Sequence, residues 1–299
     1  MDASAARQGA STGRRSLTGH SGAALMLIER PSGLIVRKGT TKPVQNQRLR
    51  AQCAKLRAAR ALGIACPNVL EEGEDDDGCF YFDMDYVAGE SLANAVLSGR
   101  ELHWDVIMPQ IRRLLDCFRQ DQPGSLHADV FRSKLENIAA QCHNRATTSP
   151  LLDRIDRIVA GLQRMNWNDV PQSGCHGDLT LENIMLRHDG SVVFIDFDVP
   201  EQSSWHLDIG KLYQDVWGHW CLRQLALSEP GSVDLVNAQV RLQQIEAVFA
   251  EQIGSLVPGG RARVQQLAAF HLLRTLPYAS DSRVAHYVVG RTEAVLSVP

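Results

Sequence analysis

Cysteine occurs seven times, at 53, 66, 79, 117, 142, 175 and 221, but never in a CxxC or CxH pair. Neither a zinc site nor a disulfide framework is indicated, and a reduced, cytoplasmic compartment is the expectation. No apolar run approaches the ~18 residues of a membrane span. There is no internal repeat and no low-complexity tract. Charge of one sign is not in surplus either: the net value of −3 over 299 residues gives no bulk attraction to nucleic acid or an anionic membrane. One local absence is sharper. No Asp or Glu occurs from Gly39 to Leu70.

What is present is ordinary globular material, 44% hydrophobic and 22% charged, enough for one large or two modest domains. The first sixteen residues, MDASAARQGASTGRRS, lack the apolar segment of a secretory signal and are expected to form an unstructured tail. Residues 17–88 read as a β-rich block with one helix. ALMLIER (24–30) and GLIVRKG (33–39) flank a Pro-Ser-Gly turn, and residues 44–62 are breaker-free and rich in helix formers. NVLEEGEDDDGCFYFDMDYV gives two further strands around an acidic loop. Beyond Gly89 the pattern turns helical, over 103–120, 127–143, 150–166, 204–226, 234–254, 260–277 and 281–296. The fold class expected is α+β: a small β-rich lobe, 17–88, then a larger helical lobe, 89–299.

A β-rich island, CHGDLTLENIMLRHDGSVVFIDFD (175–198), interrupts the helices and places Asp178, Asn183 and Asp196 in an apolar run. Burying such groups is costly unless something pairs with them. Asp189-Gly190 suits a hairpin turn between strands 183–186 and 192–197. The hairpin would fold Asn183 and Asp196 toward each other, and two oxygen-bearing side chains there suit a hard cation. Asp178, in the loop leading in, would stand nearby as a carboxylate able to accept a proton from a hydroxyl. Phosphoryl transfer is the chemistry that needs this combination.

HGDLTLEN resembles the kinase catalytic loop H-R-D-L-x-x-x-N, and Asp196 sits where the magnesium-binding Asp of D-F-G would sit. Gly177 in place of the Arg, Asp198 in place of the D-F-G glycine, and WHLDIGKLYQD (205–215) bring the chain closer to the aminoglycoside phosphotransferase and choline-kinase-like families. The resemblance implies a bilobal protein-kinase-like fold and an ATP- or GTP-dependent enzyme phosphorylating a small-molecule hydroxyl. Asp178 would be the base, with Asn183 and Asp196 on Mg2+. His176 would hold the loop backbone, Asp208 would brace the loop, and Glu182 would be solvated.

On the nucleotide side, the resemblance makes Lys38 the phosphate-holding lysine, sharing a strand face with Val36 and Leu34. LTGHSGAA (17–24), with Gly19 and Gly22, would be the phosphate-covering turn, and Asp85 and Val87 in MDYVAG would be hinge contacts to the adenine. The chain departs from the pattern at Gln52, which stands where kinases carry the Glu that pairs with the lysine. Gln52 leaves open a nucleotide-binding pseudokinase; an atypical protein kinase is a further alternative. For the acceptor, residues 231–299 carry five acids and six arginines, so no pocket for a polycation is visible. Trp205 is the candidate substrate contact.

Overall fold

The computed structural model describes residues 14–17, 23–119 and 124–297. These divide into two compact units with the boundary between Ala88 and Gly89. Gly19 and Gly22 lie outside the described residues.

The first unit is an antiparallel five-stranded sheet with one helix. Its strands are β1 (Arg14–Leu17), β2 (Ala24–Arg30), β3 (Gly33–Gly39), β4 (Val69–Glu74) and β5 (Phe80–Asp85), in the order β1-β2-β3-β5-β4. Residues 14–16, expected to belong to an unstructured tail, instead open β1, where Arg14 pairs with Ile28. Ladder hydrogen bonds to a neighbouring strand order polar residues that have no core to join.

Strand alternation sorts β3 as the sequence suggested, with one exception. Lys38 and Val36 are buried on one face while Leu34, at the strand's start, is exposed. Arg37 points the other way, where its Nε and Nη2 meet the buried Asp83 carboxylate at 2.7 and 2.9 Å and Arg30 joins them. The helix α1 (Asn46–Ala61) buries Leu49, Gln52, Cys53, Leu56 and Ala59, a single stripe at helical spacing. Asn46 pins its start: Oδ1 accepts from the Phe80 amide at 2.9 Å and Nδ2 donates to the Gly78 carbonyl at 2.8 Å.

The second unit is mainly helical. It comprises β6 (Glu90–Ser91), α2 (Leu92–Ser98), α3 (Trp104–Arg119), α4 (Ala128–His143), α5 (Leu152–Arg164), β7 (Ile184–Leu186) and β8 (Val192–Phe194). It continues with α6 (Trp205–Val216), α7 (Arg223–Ser228), α8 (Val233–Gln252), α9 (Gly260–Leu273) and α10 (Ser282–Leu296). The expected helix over 204–226 is broken after Val216, where His219 takes a φ of 52°. Strands β6, β7 and β8 form a small sheet. Helices α6 and α9 pack closely across Gly210, where a Cβ would stand 2.8 Å from that of Leu267 and 2.9 Å from the His271 ring. A stacked Phe131–Trp167 pair at 4.5 Å, with Phe270 edge-on, fills the core beside them.

Candidate active site

Residues 175–198 form a loop followed by a short hairpin. Ile184 pairs with Phe194 and Leu186 with Val192, and Asp189 closes the turn by accepting from the Ser191 amide and hydroxyl at 2.9 and 2.7 Å. The strands are shorter than the sequence suggests. Asn183 ends a 3-10 turn, Leu181–Asn183. Asp196 lies beyond β8 with a φ of 59°. The Ile195 amide donates to the Asn183 carbonyl at 3.0 Å, so Asn183 and Asp196 flank the same end of the hairpin.

Upstream, Gly177 has a φ of 96°, and a Cβ there would stand 2.4 Å from the Asp198 carbonyl oxygen. The Asp198 amide donates to the His176 carbonyl at 3.0 Å. The loop thus lies against the segment after β8 with no room for a side chain at 177. That is a physical reason for glycine where protein kinases carry arginine.

Helix α6 is buried on almost every side yet carries Asp208, Lys211 and Asp215. Spacings of three and four place them on one face. Asp208 accepts from the His176 and Gly177 amides at 2.5 and 2.8 Å. Lys211 Nζ lies 2.9 Å from Asp178 Oδ1, and Asp215 Oδ2 accepts from the Leu181 amide at 2.7 Å. One helix face therefore grips the loop at 176–177, 178 and 181, in order. Sequence reasoning identified Asp208 alone. The signal it passed over was three ionisable residues at helical spacing in an apolar helix, since buried charges require partners.

Asp178 is held on both oxygens. Lys211 takes Oδ1, and Asn183 Nδ2 donates to Oδ2 at 3.1 Å and to the Asp178 carbonyl at 2.7 Å. Its side chain remains 36% exposed, so one side opens to solvent. Burial pushes its pKa up, but the charge and hydrogen bond of Lys211, joined by His176, outweigh that and hold the carboxyl below its ordinary value. The His176 ring packs 4.2 Å from that of Phe197, and its Nδ1 accepts from the Asp178 amide at 3.3 Å. Asp215 behaves oppositely: complete burial pushes it up to about 7, and its Oδ1 has no partner among the described residues.

The remaining sequence candidates fall differently. Lys38 and Gln52 are both buried within the first unit, and Gln52 lines a shallow depression with Ala23, Thr40 and Arg48. Val87 is buried, and the Asp85 carboxylate is engaged by the Asn68 amide at 3.1 Å. Glu182 is not simply solvated, since Arg223 Nη1 lies 3.0 Å from it. Trp205 is corrected outright. It is 4% exposed, its amide donates to Ser173 Oγ at 2.9 Å, and Arg119 lies 5.7 Å over its ring. Its place as the first residue of a buried helix turns the indole into the core.

Among the described residues no helix is long and apolar enough to cross a membrane, and no cluster of three His, Cys, Asp or Glu is arranged to hold a metal. The seven cysteines are free thiols.

No curated protein matches the chain in sequence. Among solved structures it is similar to choline kinase LicA from Streptococcus pneumoniae, with 13% identity, a TM-score of 0.57 and coverage of 95% of this chain and 93% of that one. It is also similar to aminoglycoside phosphotransferase APH(3'')-Id from Streptomyces rimosus, with 19% identity, a TM-score of 0.52 and the same coverage of each chain. A thermostable mutant of aminoglycoside phosphotransferase APH(4)-Ia gives 12% identity and a TM-score of 0.58 over 96% of this chain and 94% of that one. At these identities the likeness speaks for the fold. Sequence membership is carried by the match of the phosphotransferase enzyme family over residues 19–229, which spans strands β2 to β5, the HGDLTLEN loop, the hairpin and the whole of α6. This chain, an α+β kinase-like fold with that loop and helix intact, belongs to the phosphotransferase enzyme family.

Proposed function

We propose that the chain transfers the γ-phosphoryl group of ATP to a hydroxyl of a small molecule, with Asp178 as the base. The observation that carries this reading is the hold on Asp178: a carboxylate kept ionised by Lys211, oriented by Asn183, and open on one side. An approaching hydroxyl gives its proton to Asp178 as its oxygen bonds to the γ-phosphorus, and the bond from that phosphorus to the departing ADP breaks. Asp208 and Asp215 bond to loop amides, and Lys211 holds the Asp178 carboxylate itself. They fix the loop, and positioning to within a fraction of an ångström is most of what catalysis of phosphoryl transfer asks of a protein.

The donor set fits magnesium. Asn183 spends its amide N–H groups on Asp178, so its Oδ1 would be the atom to ligate the ion, and Asp196 would add a carboxylate from the same end of the hairpin. Two protein oxygens suffice for an ion that keeps waters and takes phosphate oxygens for the rest. When bound, magnesium would neutralise charge developing on the phosphate oxygens. In the first unit we assign Lys38 to the nucleotide phosphates and Asp85 and Val87 to the base, with ATP or GTP as donor. The free cysteines support a reducing, cytoplasmic setting.

Asp178→Asn tests the assignment. AMP-PNP binding should persist while phosphoryl transfer falls by about 10²- to 10⁴-fold, the usual contribution of a general base; normal turnover would remove Asp178 from the role. A second reading, nucleotide binding without transfer, is favoured by Gln52, which can accept a hydrogen bond but cannot neutralise a lysine. Tight AMP-PNP binding with no magnesium-dependent ATP turnover would select it.

A further inference from the structure

Arg274 caps the C-terminal end of α9 and is half-buried. Its Nη1 lies 3.4 Å from His271 Nδ1 and its guanidinium 5.8 Å from the Phe270 ring centre, and among the described residues no carboxylate comes within ion-pairing distance. Most other half-buried arginines of this unit spend their donors on a carboxylate, as Arg100, Arg154 and Arg223 do, or on backbone. Arg241 donates to the Val96 and Leu97 carbonyls, and Arg291 to those of Trp217 and Gly218. A half-buried guanidinium with most of its five N–H groups unspent among the described residues is suited to receive an anion.

The position of that charge is informative. Burial pulls Arg274 below its ordinary value, and the groups that push back are Asp178 first, then Tyr278 and Asp198. The close α6–α9 packing at Gly210 brings His271 to Lys211's helix, and both Lys211 and Arg274 act on the buried, neutral His271. Lys211 is already committed to Asp178 at 2.9 Å. Held 3.4 Å from the His271 that packs on Gly210, next to Lys211, Arg274 is a second cation whose charge acts on Asp178, and the 82% exposed Tyr278 follows four residues on. A polycationic acceptor would be repelled there.

Resting on the phosphotransfer reading, we infer that the acceptor bears an oxyanion, a carboxylate or a phosphate monoester, which Arg274 receives while the acceptor's hydroxyl faces Asp178. The planar fork of a guanidinium matches either group through two parallel hydrogen bonds.

The test is phosphoryl transfer by the full chain to matched acceptors: glycerate against glycerol, gluconate and glucose 6-phosphate against glucose, with choline and kanamycin as cationic members. The wild-type chain should prefer the anionic member of a pair by at least about tenfold in kcat/KM, the worth of one good charge-assisted contact. R274Q should lose that preference through the acceptor KM, with the KM for ATP unchanged, and R274K should keep part of it. Should R274Q fail to fold, R274K alone decides, by a reduced preference with AMP-PNP binding intact. Transfer confined to neutral or cationic members, or to no member, overturns the inference. So does an equal fall in kcat on every acceptor, which would place Arg274 on the transferred phosphoryl group instead. Failure of the phosphotransfer reading is distinct: the wild-type chain would neither bind AMP-PNP nor consume ATP.

Discussion

Replacing Gly177 by alanine isolates the geometry of the loop from its chemistry. The backbone at 177 has a φ of 96°, and an added Cβ would stand 2.4 Å from the Asp198 oxygen, 2.9 Å from its carbonyl carbon and 3.1 Å from Pro200 Cδ. The left-handed backbone alone costs a residue with a Cβ about 1–2 kcal/mol. The contact adds a displacement, because a Cβ and an oxygen meet comfortably at about 3.4 Å and the loop must recede by roughly 1 Å, a shift that can cost about 10²-fold in rate. Gly190 supplies the control. Its φ is 82°, but a Cβ there meets nothing within 4 Å. Both variants should melt a few degrees lower, at about 2–4 °C per kcal/mol for a unit of this size. Only Gly177→Ala should also lose turnover, measured as kcat for magnesium-dependent ATP consumption beside a thermal melt. Equal kcat in the two variants would refute the claim that the contact with Asp198 sets the position of Asp178.

Lys211→Met keeps the apolar stem and removes the charge that holds Asp178 down. Because Asp178 must be ionised to accept a proton, the acid limb of kcat/KM should move to higher pH; an unmoved or lowered limb would deny the pairing a role. Asp208→Ala leaves the His176 and Gly177 amides without their acceptor, at about 1–3 kcal/mol for each buried orphan, and urea unfolding should read the loss. Asp215 has a folded-state value of about 7 against an ordinary 3.8. The folded chain therefore binds more protons than the unfolded one across that window, and stability falls as pH rises through it, by a total on the order of a few kcal/mol. Asp215→Asn removes that slope, so its melting temperature relative to wild type should climb between about pH 4 and pH 8; parallel melting profiles would contradict the burial of a titrating carboxyl.

The hairpin was legible because its signal is local. Two short apolar runs flanking Asp189-Gly190 mark a turn and a pairing, and pairing places Asn183 and Asp196 at one end. Strand β1 was not legible, since RRSL is a short, mostly polar segment with no strand signal in sequence, and it pairs with β2. The fate of Trp205 was not legible either. An indole at the start of a helix reads equally as a stacking surface or as core, and only its neighbours Ser173 and Arg119 decide.

The sequence by itself determined the α+β class and the loop–hairpin motif and nominated Asp178, Asn183 and Asp196 as candidate site residues, because each follows from spacing along the chain and from the cost of burying polar groups. Tertiary structure alone decided what surrounds them. Lys211 lies 33 residues beyond Asp178 and Arg274 another 63 beyond that. No pattern of hydrophobicity says that α6 turns its three charged residues to the loop, or that α9 packs against α6 closely enough to bring a second cation to it. Those placements come from close packing between distant helices, and Coulomb's law acts on the distance in space rather than along the chain.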